Sequence, residues 1–230
     1  MSIFDNVEIY SLFWDNSSYL VESQKKVMDH FKIPITYHHI NGMDHGTWID
    51  LVMQNTSCDI VGIIDIDCVP LNREVVDKSI QYVKDNKSLI GLAQCANHIY
   101  PYSHICGAAV FYFVHRQLWE NLGKPSFKPN HRGDVSEEIS WLCEENKIPY
   151  KALYPTYFER EPIEGVWRLG NYGYFGIGTV FNNSVYHLYQ GRYQQHMDLF
   201  AKRCDEIVEG SFSTKGFYSS TEEYRGKICR

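Results

Sequence analysis

The stretch that decides the fold is Ile60-Val61-Gly62-Ile63-Ile64-Asp65-Ile66-Asp67, which joins the most apolar short run of the chain to two carboxylates. Five apolar residues followed by polar ones indicate a strand buried on both faces and ending at Asp65. Strand-like segments at 7–14 and 34–40 precede it, each followed by a helical segment. Repeated β-α units of this length predict a parallel sheet with helices on its faces, joined by right-handed crossovers.

Asp65 and Asp67 therefore fall at the carboxyl end of a strand, where open α/β sheets bind their ligands. Two carboxylates one residue apart offer hard oxygen ligands to Mg²⁺ or Mn²⁺ if the chain leaves the regular pleat there. A divalent cation at this point would neutralise a diphosphate and stabilise it as a leaving group. The alternative is that Asp67 caps the following turn and Asp65 is merely exposed.

The second half of the chain has a different pattern. It predicts a strand at 107–113, a helix that begins near Val135, a Gly- and aromatic-rich stretch at 154–178, a strand at 184–189 and an amphipathic helix at about 192–208. The last twenty residues have no clear pattern. Neither a repeat nor a linker separates the two halves, so we expect them to share one core.

Composition limits the classes of function. The 230 residues carry a formal net charge of -6 with no basic cluster, which disfavours binding to nucleic acid or a membrane surface. No run approaches the roughly 20 apolar residues needed to cross a bilayer, and residues 1–5 lack the features of a signal peptide, so we expect a cytoplasmic protein. The seven cysteines include no C-x-x-C pair and are expected to be buried free thiols. No particular oligomeric state is predicted.

With these features the sequence resembles the GT-A glycosyltransferases, which use nucleotide-sugar donors and carry an Asp-x-Asp after a buried strand. The resemblance covers residues 6 to 192 and rests on the first strand with its polar exit, on Asp65-Ile66-Asp67, on an acidic helix start and on a late histidine. It implies an α/β, GT-A-like fold: a Rossmann-like nucleotide-binding half with a mixed, mainly parallel central sheet and helices on both faces. Residues 1–95 would form the nucleotide-sugar-binding half, 96–195 the acceptor-binding and catalytic half of the same domain, and 196–230 a C-terminal helix and irregular tail.

The resemblance also implies roles for individual residues. Asp67 would bind Mn²⁺ or Mg²⁺ directly, and Asp65 would contact the ribose or sugar of the donor, or the metal through water. The exit of the first strand would touch the nucleotide base, uracil being the commonest in the family. The implied donor-binding residues are Ser11, Phe13, Trp14, Asp65 and Ile66, with Arg192 near a phosphate.

An acidic cluster at 134–138 offers the candidate catalytic base. Asp134, Glu137 and Glu138 have i, i+3, i+4 spacing, which would place them on one side of a first helical turn. An inverting transferase needs one carboxylate to accept the proton of the acceptor hydroxyl. The family usually has Glu-Asp here, whereas this chain has Glu137-Glu138, so all three stay candidates. The alternative is structural, because acidic residues oppose the helix dipole and Asp134 would be a good N-cap.

His187 matches the late histidine of the family and would be a third metal ligand, since neutral imidazole suits Mn²⁺. A histidine in an aromatic strand can instead be an ordinary core residue. A glycan or other hydroxyl acceptor would bind the aromatic stretches 98–104 and 167–175, and the glycines at 170, 173, 176 and 178 would let the second stretch move as a lid.

The function favoured by these patterns is metal-dependent transfer of a sugar from a nucleotide-diphosphate sugar, with UDP as the expected nucleotide and inversion favoured. Two alternatives remain at this point. Residues 65–71 also resemble the first motif of haloacid-dehalogenase-type phosphatases, in which Asp65 would be the nucleophile. The chain could also be a non-catalytic module that binds nucleotide-sugars or glycans.

Overall fold

The computed structural model of the protein describes residues 2–96, 104–160, 165–191 and 193–229. The helices are α1 (Ser18–His30), α2 (His45–Asn55), α3 (Arg73–Asn86), α4 (Arg116–Asn121), α5 (Glu137–Glu145) and α6 (Gln194–Val208). The strands are β1 (Val7–Phe13), β2 (Thr36–His39), β3 (Ile60–Ile64), β4 (Cys68–Pro70), β5 (Leu89–Gln94), β6 (Cys106–His115), β7 (Lys151–Leu153), β8 (Pro155–Phe158), β9 (Val166–Leu169), β10 (Gly173–Gly176), β11 (Gly178–Phe181), β12 (Val185–Leu188) and β13 (Tyr218–Ser219).

The first sheet contains six strands in the order β2-β1-β3-β6-β5-β7. β1 is parallel to both β2 and β3, and β7 is parallel to β5. β6 is antiparallel to its neighbours β3 and β5, so it alone runs against the other five strands. The predicted mixed, mainly parallel sheet is therefore confirmed.

Helices cover both faces of this sheet, as predicted. On β3, Ile60 and Ile64 face a layer that contains α1 and α3, whereas Val61 and Ile63 face α2, α4 and α5. The strand is apolar on both sides because each side is buried under a helical layer. This explains why β3 is a continuous apolar run without alternation.

A second sheet holds β13, β8, β11, β12 and β4 in that order. All its pairs are antiparallel, and α1 and α6 pack against it through residues such as Leu20, Val27 and Phe200. Only three residues separate the end of β3 from the start of β4. The segment 65–67 is thus the place where the chain passes from the first sheet to the second.

The Gly- and aromatic-rich stretch is more ordered than its composition indicates. Within its described residues it forms β8, the β9-β10 hairpin and the start of β11. The tail after α6 also contributes β13, which pairs with β8. All seven cysteines are free; five are buried as predicted, whereas Cys95 and Cys229 are partly exposed. No helix among the described residues has the length and apolarity to cross a membrane.

Candidate functional site

The Asp-x-Asp segment forms a tight turn that is held on both sides. Asp65 N donates to Val110 O on β6 at 2.7 Å, and Cys68 N donates back to Asp65 O at 2.9 Å. The buried amide of Gln24 on α1 donates to Asp65 O at 2.6 Å and to Cys68 O at 2.8 Å. The chain therefore leaves the pleat at Asp65, which is the condition under which both carboxylates can turn into one crevice.

His187 comes to this turn from the second sheet. It pairs with Cys68 across β12 and β4, and Leu188 N donates to Asp67 O at 2.9 Å. His187 Nε2 lies 3.4 Å from Asp67 Oδ1, and one ligand atom from each of Asp65, Asp67 and His187 falls within a 4.8 Å group. The three residues named as metal ligands from sequence are therefore neighbours in space.

Their chemistry suits a divalent cation. Two carboxylates and an imidazole form a set that Mn²⁺ accepts readily, whereas Mg²⁺ prefers oxygen ligands alone. The 3.4 Å separation exceeds that of an ordinary hydrogen bond, so no strong hydrogen bond between Asp67 and His187 would compete with a bound cation. His187 Nδ1 is buried without a hydrogen-bond partner in the described part of the chain, so it lacks the contact that usually fixes the tautomer of a ligating histidine.

Gly191 keeps space open beside Asp67. A Cβ atom at this position would lie 2.9 Å from Asp67 Oδ2 and 3.0 Å from Leu20 Cδ1. Both separations are shorter than ordinary van der Waals contact. A side chain at position 191 would therefore displace the Asp67 carboxylate.

A cleft of about 290 Å³ opens above the turn, between β1 and the segment that follows β12. It is lined by Leu12, Trp14, Asn16, Ser17, Leu20, His45, Asp65, Ile66, Asp67, Gln190 and Gly191. We call it the first cleft. Of the six residues named as donor-binding from sequence, it contains Trp14, Asp65 and Ile66.

Ser11 and Phe13 are not brought to the first cleft. Ser11 is fully buried in β1, and Phe13 stacks on His39 with ring centroids 4.7 Å apart. Alternation along β1 is the reason, since Leu12 and Trp14 share the side that faces the cleft. Arg192 lies outside the described residues, directly after Gly191.

A second cleft of about 180 Å³ lies across Asp65 from the first. It is lined by His45, Asp65, Gln94, Cys95, Ala96, Cys106, Ala108, Ala109, Val110, Asp134, Val135 and Glu137. His45 and Asp65 line both clefts. Two members of the acidic cluster, Asp134 and Glu137, therefore line the same cleft as Asp65.

The three acidic candidates do not share one helical face, which corrects the prediction from their spacing. The helix begins at Glu137, and its N-cap is Ser136 at φ +66°, not Asp134. Asp134 precedes the helix, is exposed and lines the second cleft.

Glu137 and Glu138 make different contacts. Glu137 is buried, accepts from Asp134 N at 2.8 Å and contacts His104 Nδ1 at 2.6 Å. Glu138 accepts from Arg132 Nε and Nη2 at 2.8 and 2.6 Å, and the Arg132 guanidinium lowers its pKa. Glu138 lines neither cleft, whereas Asp134 and Glu137 line the second.

His45 is a site residue that the sequence analysis missed. Its Nε2 lies 3.0 Å from Asp65 Oδ1, and its ring stacks on Trp48. Burial is the largest single influence and lowers the pKa of His45, but the carboxylates of Asp65, Asp67 and Asp44 together raise it by more, so the pKa lies above its usual value. A sequence signal for this position exists, because Asp44 is a residue type that favours the N-cap. In the structure Asp44 accepts from Thr47 N, and α2 starts at His45.

The aromatic rings at the two ends of the stretch 167–175 are buried, so they do not offer the open surface for a sugar that the sequence predicted. The Trp167 ring is buried against Phe175 and Tyr189, with both pairs of centroids 5.7 Å apart. Gly173 packs so closely that a Cβ atom would meet Ser220 O at 2.0 Å. Close packing, rather than mobility, requires glycine there. The other acceptor stretch lies outside the described residues except for His104.

Comparisons with known proteins find only distant structural likenesses. No protein-family profile and no curated protein matches the sequence. Among solved structures, a mannosyltransferase from Pyrobaculum calidifontis, in complex with GDP-Man and Mn²⁺, is 12% identical with a TM-score of 0.46. The match covers 64% of this chain and 54% of that one, so the chain spans about half the length of that neighbour.

Two further structures illustrate the range of neighbours. A glycosyltransferase involved in glycosylation of the major capsid of PBCV-1 is 13% identical, with a TM-score of 0.38 over 64% of this chain and 80% of that one. A cytidylyltransferase from Leptospira borgpetersenii is 12% identical, with a TM-score of 0.39 over 64% and 75%. Likeness at this level carries no argument about substrate, metal or reaction.

Proposed function

We propose that the protein is a metal-dependent glycosyltransferase that moves a sugar from a nucleotide-diphosphate sugar to a hydroxyl acceptor. The observation that carries this proposal is the meeting of Asp65, Asp67 and His187 beside two adjoining clefts. Asp67 and His187 would hold Mn²⁺ or Mg²⁺, with Asp65 beside them. When bound, the cation supplies positive charge opposite the diphosphate and so improves the leaving group.

The residues of the first cleft suit the nucleotide end of the donor. Trp14 offers an aromatic surface for the base, and its indole is fixed because Nε1 donates to Met43 O at 3.2 Å. Asn16 and Ser17 add polar groups for the ribose. UDP is the first nucleotide to test, and Arg192, which follows Gly191 in the sequence, remains a proposed phosphate contact.

The acceptor hydroxyl would enter the second cleft, where Asp134 accepts its proton as the sugar is transferred. Glu137 holds this base in place through the Asp134 backbone. One carboxylate that activates the acceptor for direct displacement inverts the anomeric configuration. Inversion is therefore the stereochemical outcome that we propose.

The two alternatives from sequence are less well supported. A dehalogenase-type phosphatase needs Asp65 as a free nucleophile and a lysine nearby, whereas Asp65 Oδ1 contacts His45 and, among the described residues, no lysine lines either cleft. A non-catalytic binding module needs no proton acceptor, yet Asp134 stands beside the Asp-x-Asp turn.

Calorimetric titration of UDP with and without Mn²⁺ tests the proposal, together with a donor-hydrolysis assay over a panel of UDP- and GDP-sugars. We expect Mn²⁺-dependent binding that Asp67→Asn reduces at least about tenfold, because a metal ligand is lost. Asp85→Asn, an exposed change on α3 outside both clefts, is the matched control. Binding without turnover of any donor would favour the binding module, and phosphate-ester hydrolysis without use of UDP-sugars would favour the phosphatase.

A further inference from the structure

His45 occupies the junction of the two clefts. It is the first residue of α2, and it lines both clefts together with Asp65. Asp44 caps the helix by accepting from Thr47 N at 2.9 Å, so the backbone at His45 is anchored. A ligand that extended from one cleft into the other would pass His45.

The His45 ring has little freedom of its own. It lies nearly parallel to the Trp48 indole, with ring centroids 5.5 Å apart and planes 13° apart. Trp48 is in turn buried, and its Nε1 donates to His38 Nδ1 at 3.0 Å. The stack aims His45 Nε2 at Asp65 Oδ1, 3.0 Å away.

The contact between His45 and Asp65 restrains the Asp65 carboxylate, which main-chain hydrogen bonds do not fix. Hydrogen bonds from Asp65 N to Val110 O and from Gln24 Nε2 to Asp65 O hold its main chain. The terminal torsion of an aspartate is broad, so main-chain anchoring leaves the carboxylate free to rotate. With Oδ1 engaged by His45, the other oxygen, Oδ2, is the one left for a ligand.

We propose that His45 is a positioning residue that sets the orientation of the Asp65 carboxylate for binding of the cation and the donor. The inference rests on the proposed function, since it concerns how that site is arranged. Neighbours that orient a metal-site carboxylate typically change metal affinity about 10- to 100-fold when removed.

Mn²⁺ affinity in the presence of UDP, measured by calorimetry on the full chain, tests the inference without relying on turnover. We expect His45→Ala to weaken Mn²⁺ binding by about 10-fold or more. His45→Gln keeps an N–H donor near the Nε2 position and should recover most of the affinity. His30→Ala replaces an exposed histidine outside both clefts and should bind like the wild type. Circular dichroism and Tm on each variant verify folding.

The outcomes distinguish the positioning role of His45 from the proposed function. If the wild type binds Mn²⁺ with UDP and His45→Ala binds equally well, His45 is not a positioning residue and the proposed function stands. If His45→Gln is as weak as His45→Ala while both are folded, a hydrogen bond from position 45 is not what orients Asp65, and the inference is overturned. If the wild type itself binds neither ligand, the proposed function fails and the inference falls with it.

Discussion

His104 Nδ1 lies 2.6 Å from Glu137 Oε1, and this contact ties the segment before β6 to the first turn of α5. His104 Nε2 also lies 3.1 Å from Glu144 Oε1, so one imidazole bridges two carboxylates on the same helix. The His104 ring stacks on Trp141, which completes the attachment. Because Glu137 accepts from Asp134 N, the position of the proposed base depends on His104 two contacts away.

The first prediction concerns the pH dependence of this bridge. Burial by itself lowers the pKa of His104, but hydrogen bonds to Glu137 and Glu144 raise it by more, so it lies above the usual 6.5. A raised histidine pKa contributes stability that is full below the unfolded value and is lost as pH rises through the folded value. We therefore expect His104→Asn to lower Tm most at about pH 5.5, by roughly 2–4 °C, with the difference shrinking towards pH 9. A difference that grows with pH would contradict this sign.

The second prediction separates the acidic residues. Asp134→Asn should lower kcat by about 10²- to 10⁴-fold without changing UDP affinity, because a general base acts only in the chemical step. Glu138→Gln should leave kcat within about threefold and lower Tm instead, because it weakens the ion pair with Arg132. Steady-state kinetics with the best donor, together with calorimetry for UDP, measures both. A loss of kcat confined to Glu138→Gln would move the base to that residue.

The site prediction from sequence was most useful where one local pattern determined the outcome. β3 is buried on both faces, so its end and the Asp65-Ile66-Asp67 turn could be located from composition alone. β1 carries polar and apolar residues on both faces, with Glu8 on one and Ser11 on the other, and its sequence did not indicate which residues face the cleft. Of the residues named from sequence at this strand exit, Trp14 lines the first cleft and Ser11 and Phe13 do not, whereas alternation adds Leu12 to the cleft side.

The remaining differences arise from contacts distant in sequence. Glu138 is directed away from the clefts because Arg132 and Asn130 bind its carboxylate, and the helix start depends on a positive φ at Ser136. The glycines of the 154–178 stretch resemble those of a flexible loop, yet Gly173 is required by the approach of Ser220 from the tail. Neither the contacts of Glu138 nor the close approach of Ser220 to Gly173 can be predicted from the spacing of residues in the sequence.

The third prediction concerns the space beside Asp67. Gly191→Ala should weaken Mn²⁺ binding by about tenfold, because the new Cβ atom would lie 2.9 Å from Asp67 Oδ2 and must displace it. In an Asp67→Asn background the same change should have little further effect, since the two changes act on one contact. Calorimetry on the single and double variants measures the coupling. Full additivity of the two effects would show that Gly191 does not act through Asp67.

The passage of the chain from one sheet to the other at residues 65–67 has a mechanical consequence. Asp65 belongs to the end of the first sheet, whereas Asp67 and His187 move with the second through β4 and β12. Any sliding of one sheet over the other would change the spacing of the three ligand groups. A cation bound by all three would link the two sheets. The relative position of the sheets and the affinity for the diphosphate would then be coupled.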